Sequence, residues 1–116
     1  MFARAISGHE APDRPAIHFS VGERVSVGGR SPDWPAFVFV SGARGEGWVP
    51  SRHLSAEEGT ATVEADYDTA ELAVAAGQTV EVLTRDDASG WWWCRSEASG
   101  AKGWVPRSAL TESTSI

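Results

Sequence analysis

The sequence holds one cysteine, Cys94, among 116 residues, so no internal disulfide can form, which fits a reducing compartment. With no activating base beside it in sequence, Cys94 is expected to be a small buried thiol in a strand rather than a nucleophile. Long apolar runs are missing too, none approaching the roughly 20 residues needed to cross a bilayer. The opening, Met1 to Glu10, lacks the charged-then-apolar order of an export signal, because His9 and Glu10 interrupt it. A soluble, cytoplasmic protein is the expectation. There is no nucleophile-base pair, no phosphate-cradling glycine loop and no cluster of metal-ligand residue types beyond a histidine pair. The sequence therefore predicts no enzyme, no cofactor and no metal. Positive charge is also short. The net charge of −6 disfavours nucleic acid and anionic membranes as partners, since both attract basic surfaces. The deficit is local: residues 1–56 hold six arginines against five acids, residues 57–116 three arginines and one lysine against eleven.

What the chain does have is 41% hydrophobic residues, six tryptophans and twelve glycines, material for packed cores joined by tight turns. It also repeats itself at a spacing of 55 to 57 residues. Ile17-His-Phe-Ser-Val-Gly-Glu-Arg-Val-Ser-Val27 matches Leu72-Ala-Val-Ala-Ala-Gly-Gln-Thr-Val-Glu-Val82, and Gly47-Trp-Val-Pro-Ser-Arg-His-Leu54 matches Gly103-Trp-Val-Pro-Arg-Ser-Ala-Leu110. Units of about 55 residues stand near the lower size for folding without disulfides or metals. Two domains are expected in sequence order, 1–56 and 61–112, with a short linker at 57–60 and a polar tail at 113–116. Within each, Val25-Ser-Val27 and Val80-Glu-Val82 alternate as half-buried strands do. Phe37-Val-Phe-Val40 and Trp91-Trp-Trp-Cys94 are β-favouring runs. Helical periodicity is nowhere sustained, and Thr69 to Ala76 suits a strand better than a helix.

These motifs resemble the Src-homology-3 (SH3) family over nearly the whole chain. Val63-Glu-Ala-Asp-Tyr-Asp68 is similar to its ALYDY opening, Leu72-Ala-Val-Ala-Ala-Gly77 to its turn into a strand, Trp91-Trp92 to its paired tryptophans and Gly103-Trp-Val-Pro106 to its closing motif. The first repeat offers Ala5-Ile-Ser-Gly-His9, Ile17-His-Phe-Ser-Val-Gly22, Asp33-Trp34 and Gly47-Trp-Val-Pro50. The closest resemblance is to the variant SH3 domains of small bacterial proteins. The fold so implied is all-β, two tandem five-stranded barrels. Gly22 and Gly77 then make tight turns at φ > 0, and Pro50 and Pro106 each end a strand.

The resemblance further implies a protein or peptide partner, proline-rich and carrying Arg or Lys, bound in an aromatic groove. Trp34 and Trp91 are expected on that groove, Trp48 and Trp104 along its wall, and Pro50 and Pro106 on its floor. Acidic side chains would hold the ligand's cation: Asp68, Glu71, Asp86 and Asp87 in the second repeat, with Glu10, Asp13 and Asp33 in the first. The family's pocket tyrosines read Ala65, Tyr67 and Ala109 in the second repeat and Ser7, His9 and His53 in the first. His9 and His53 are thus expected side by side. Three successive tryptophans cannot share one face of a strand, so Trp93 is expected in an interdomain or homodimer contact. The alternative to an adaptor is a structural protein with degenerate grooves, whose tryptophans serve such contacts.

Overall fold

A computed structural model describes residues 1–13 and 15–112. The expected tail at 113–116 lies outside the described residues. In chain order the strands are β1 (Phe2–Ala5), β2 (His18–Phe19), β3 (Arg24–Arg30), β4 (Phe37–Gly42), β5 (Gly45–Pro50) and β6 (Gly59–Thr62). They continue as β7 (Tyr67–Asp68), β8 (Thr79–Asp86), β9 (Trp91–Ser96), β10 (Lys102–Pro106) and β11 (Leu110–Glu112). Single 3-10 turns at Ser51–His53 and Arg107–Ala109 follow the two prolines. The chain is all-β, as its alternating runs require.

The compact units do not follow the order of the repeats. One comprises Met1–Arg14 with Ala70–Ile116, the other Pro15–Thr69. The packed bodies are divided after residues 14 and 69 rather than between the repeats. Each repeat contributes an arm to one unit and a body to the other. The expected linker also gives way in part to strand, since Gly59 and Thr60 open β6. The reason is pairing. β1 lies between β8 and β11, in register Ala3 opposite Val80 and Ala5 opposite Leu110. β6 pairs instead with β3, Ala61 opposite Val25.

The unit of Met1–Arg14 and Ala70–Ile116, the first unit below, carries the sheet β10-β9-β8-β1-β11. Its core includes Ala3, Ala5, Val80, Trp92, Cys94 and Val105. Trp92 is 2% exposed; its indole N–H donates to Asp87 Oδ1 at 3.0 Å, which satisfies the one polar atom that burial of the ring would strand. The guanidinium carbons of Arg85 and Arg107 each stand 4.7 Å from the centre of that ring. Thr69 to Ala76 forms no continuous strand, only single bridges at Glu71, to Trp104, and Val74, to His9.

The second unit carries the sheet β5-β4-β3-β6 and the short pair β2-β7. Phe19, Val25, Val38, Val40 and Val49 fill it, and Leu54 bridges Val63. The expected turn glycines hold φ of +94° at Gly22 and +93° at Gly77, a region that side chains strain to enter. They turn the chain into β3 and β8.

Candidate functional site: two aromatic sheet faces

Alternation along β9 sends Trp92 and Cys94 inward and leaves Trp91 and Trp93 on the opposite face. Register with β10 places Trp104 opposite Trp93 and Pro106 opposite Trp91. The rings of Trp93 and Trp104 meet edge to face, centres 5.2 Å apart at 68°. His9, brought in by the arm through its bridge to Val74, sets its imidazole edge-on against Trp91 at 5.2 Å. His9 Nε2 lies 2.9 Å from Glu71 Oε1, the ring N–H donating and the carboxylate accepting. Glu71 is held there by a close passage over β10. Trp104 donates its backbone N–H to Ala70 O at 2.9 Å, and Leu72 donates to Trp104 O at 3.0 Å. Only glycine fits beneath: a Cβ on Gly103 would come within 2.6 Å of the Glu71 carbonyl carbon.

The second unit repeats this face with different side chains. Phe37 stands opposite Pro50 and Phe39 opposite Trp48. Phe39 and Trp48 meet edge to face at 5.1 Å and 70°. Tyr67, delivered by the other arm, lies edge-on to His53 at 5.4 Å and to Phe37 at 6.5 Å. Thr69 Oγ1 accepts the Ile17 N–H at 2.8 Å and Asp66 Oδ1 accepts the Val21 N–H at 2.8 Å, so the arm is tied on both sides of Tyr67.

Several expected placements change. His9 belongs to one unit and His53 to the other, because the arm that carries His9 closes the body of the second repeat; His9 packs on Trp91 and His53 on Tyr67. Tyr67 shares its face with His53 rather than with Ala109. The acids are divided between the units. Asp68 pairs with His18 in β7-β2, while Glu71, Asp86 and Asp87 belong to the first unit. There Glu71 is engaged by His9 and Asp87 by Trp92, and the Asp86 carbonyl accepts the Gly90 N–H at 3.0 Å in a turn. Glu10 and Asp13 are exposed on the first unit's arm and Asp33 is exposed in a bend of the second unit. Among the described residues no three His, Cys, Asp or Glu side chains are grouped to hold a metal ion.

The tryptophans divide in a similar way. Trp91 is only 8% exposed, whereas Trp48, Trp93, Trp104 and Trp34 are half-buried. Trp93 packs on Trp104 within its own unit. Pro50 and Pro106 are both buried beneath the aromatic faces. Trp34 is not the counterpart of Trp91. That position is Phe37, which pairs with Pro50 as Trp91 pairs with Pro106. Trp34 lies in the bend before β4, where its N–H bonds Ser31 Oγ at 3.0 Å and its carbonyl accepts the Phe37 N–H. Phe37 and Phe39 were missed by sequence reasoning. The signal lay in strand register counted back from each proline.

Burial pushes the Cys94 thiol up to about 11, in keeping with a side chain that is 0% exposed. The Arg30 guanidinium, 2.6 Å from Glu57 Oε1, holds that carboxyl below its ordinary range by hydrogen bond first and charge second. No helix among the described residues is long and apolar enough to cross a membrane.

Comparison with known proteins adds to this geometry. Myosin-1 of Emericella nidulans is 39% identical over 41 residues, 35% of this chain and 3% of that protein. Myosin-1 of Aspergillus clavatus is 36% identical over 42 residues, 36% of this chain and 3% of that protein. The chain thus spans a small fraction of the length of these relatives. No solved structure matches. The family model of the variant SH3 domain matches twice, at residues 2–57 and 60–113, which together take in nearly the whole chain. Two β units with paired aromatic faces, and the family's motifs present twice along the sequence, lead to one conclusion: the chain belongs to the variant SH3 domain family, in tandem, and SH3 domains are generally protein-interaction modules.

Proposed function

We propose that the protein is a non-enzymatic adaptor that binds a peptide segment of another protein through the aromatic face of its second unit. The observation that carries this reading is the grouping of Phe37, Phe39, Trp48, Tyr67 and His53 over Pro50. Rigid aromatic walls suit a polyproline-II segment, which is already extended and loses little entropy on docking. Half-buried Trp48 combines an apolar ring with an indole N–H that can donate to a ligand carbonyl. His53 replaces a tyrosine on this face and still offers a flat ring to a proline. Asp33, Trp34 and Asp68 belong to the same unit and are its candidates for ligand contact. In the first unit the candidates are Glu71, Trp104, Asp86 and Asp87, with Pro106 buried under them as part of the face's support.

A titration of the 15N-labelled protein with a proline-rich peptide carrying one arginine tests the proposal. The Trp48 indole signal should shift in a saturable way, with amide shifts at Tyr67 and His53. If the signals of Trp34 and Trp48 stay fixed at millimolar peptide, the adaptor reading fails.

A second reading draws support from the first unit, where Trp91 is largely covered and Trp93 and Trp104 form a half-buried aromatic pair. Such a face suits a folded surface, including a second copy of the chain, better than a thin peptide. A solution mass of twice 12.4 kDa, lost in a Trp93→Ser variant, would favour it.

A further inference from the structure

Each arm closes the body of the other repeat, and the two arms are nearly interchangeable in their apolar pattern. Ala3 and Ala5 enter one core; Ala61 and Val63 occupy the same places in the other. Apolar burial alone therefore does not decide which arm closes which body. The register shows what polar side chains would meet if each repeat closed upon its own arm. Val80 lies opposite Ala3 where Val25 lies opposite Ala61, so closure in sequence order would set Ala3 opposite Val25. Arg4, now opposite Thr79 and Thr111, would then face Arg24, which is now opposite Thr62. Like charges directly across an antiparallel pair repel. His9 would also lose its partner. In the repeat Glu71 precedes Leu72 as Ala16 precedes Ile17, so the carboxylate 2.9 Å from His9 would be replaced by a methyl group. The His18 position does not discriminate, because it faces Asp68 now and would face Glu10 in sequence-order closure.

We propose that Arg4 and His9 are positioning residues that select the exchanged closure, and so decide that His9 serves the face of Trp91 and Tyr67 the face of Phe37. Arg4 is steered by charge away from the body that carries Arg24, and His9 is drawn by its hydrogen bond toward the body that carries Glu71. The repeats are thereby made dependent on each other, and each aromatic face is assembled from both.

Disulfide trapping in the full chain tests this, with Cys94→Ala as the background. Phe2→Cys with Glu81→Cys reports exchanged closure, since these residues are cross-strand partners. The neighbouring Val82 N–H donates to Met1 O, which makes Phe2 and Glu81 a non-hydrogen-bonded pair with closely spaced Cα atoms. Phe2→Cys with Ser26→Cys reports closure in sequence order, because Ser26 takes the same place opposite Thr60. Neither reporter touches Arg4, Arg24, His9 or Glu71. The exchanged pair should oxidise in high yield and the other poorly. Adding Arg24→Glu turns the Arg4 repulsion into attraction and should move the ratio of yields several-fold toward sequence order. Glu71→Ala should move it the same way, and 1 M salt should reduce the effect of Arg24→Glu. Circular dichroism of each variant reports whether it folds. Equal yields from the two reporters in the unmutated background would overturn the proposal, as would a ratio that folded Arg24→Glu and Glu71→Ala variants leave unchanged.

Discussion

Replacing Gly103 with alanine should damage the protein far more than the same change at the matching Gly47. At Gly103 the added methyl would come within 2.6 Å of Glu71 C and Leu72 N and 3.0 Å of Glu71 O, all backbone atoms. The segment cannot retreat cheaply, because the bonds from Trp104 N–H to Ala70 O and from Leu72 N–H to Trp104 O pin it on both sides of the contact. At Gly47 the nearest atom is Thr69 Cγ2 at 3.2 Å, a side-chain methyl that needs to shift by only a few tenths of an ångström. Overpacking against fixed atoms costs roughly 1–3 kcal/mol. Removing a glycine's freedom in the unfolded chain returns about 0.4–1 kcal/mol, which leaves Gly47→Ala near neutral. For a domain of this size 1 kcal/mol moves Tm by roughly 4–8 °C, so Gly103→Ala should lower it by about 10 °C and Gly47→Ala by a few degrees at most. Calorimetry of the full chain gives both values. The Gly103→Ala shift should also release Glu71 from His9, seen as a change in the imidazole resonances of His9. Equal melting shifts for the two variants would refute the argument.

Other outcomes follow from single contacts. Tyr67→Ala removes a buried ring that touches Phe37 and His53, and should cost about 3 kcal/mol in urea unfolding. Cys94 should resist DTNB at pH 8 until the protein unfolds, since the folded thiol ionises only near 11. The sign of its linkage is fixed by the raised value: above about pH 9 the unfolded thiol loses its proton first, so stability should fall between pH 9 and 11, and Cys94→Ala should flatten that fall. Glu57 should titrate below 4.5 by carbon-detected NMR and return toward it in Arg30→Ala. The lowered value means that whatever stability this exposed pair adds is present above 4.5 and is lost as pH falls through the folded value, with 1 M salt weakening it.

The strands and the turns were legible because their signals are local. Gly22, Gly77, Pro50 and Pro106 each impose one backbone choice, and Val25-Ser-Val27 with Val80-Glu-Val82 show their buried face by alternation alone. The alternation rule also separated Trp92 from its two neighbours. The exchange of arms was not legible. Ala3-Arg-Ala5 and Ala61-Thr-Val63 present the same small apolar pattern, so periodicity cannot tell one arm's destination from the other's. His9 and His53, expected together, fall in different units for that reason. Phe37 was passed over in favour of Trp34 because the β4-β5 turn, Gly42 to Gly45, is shorter than the turn joining β9 to β10. Counting from the tryptophans misaligned the repeats there; cross-strand register from the prolines aligns them.

The chain passes from one unit to the other after residue 14 and again after residue 69. A gene that encoded two barrels in series could lose either repeat and keep a whole domain. With the arms exchanged, a deletion of either repeat leaves an arm and a body that must close upon each other, which sets Arg4 opposite Arg24 where the first repeat remains. The loss of either copy would therefore force a change of partner in the copy that remains.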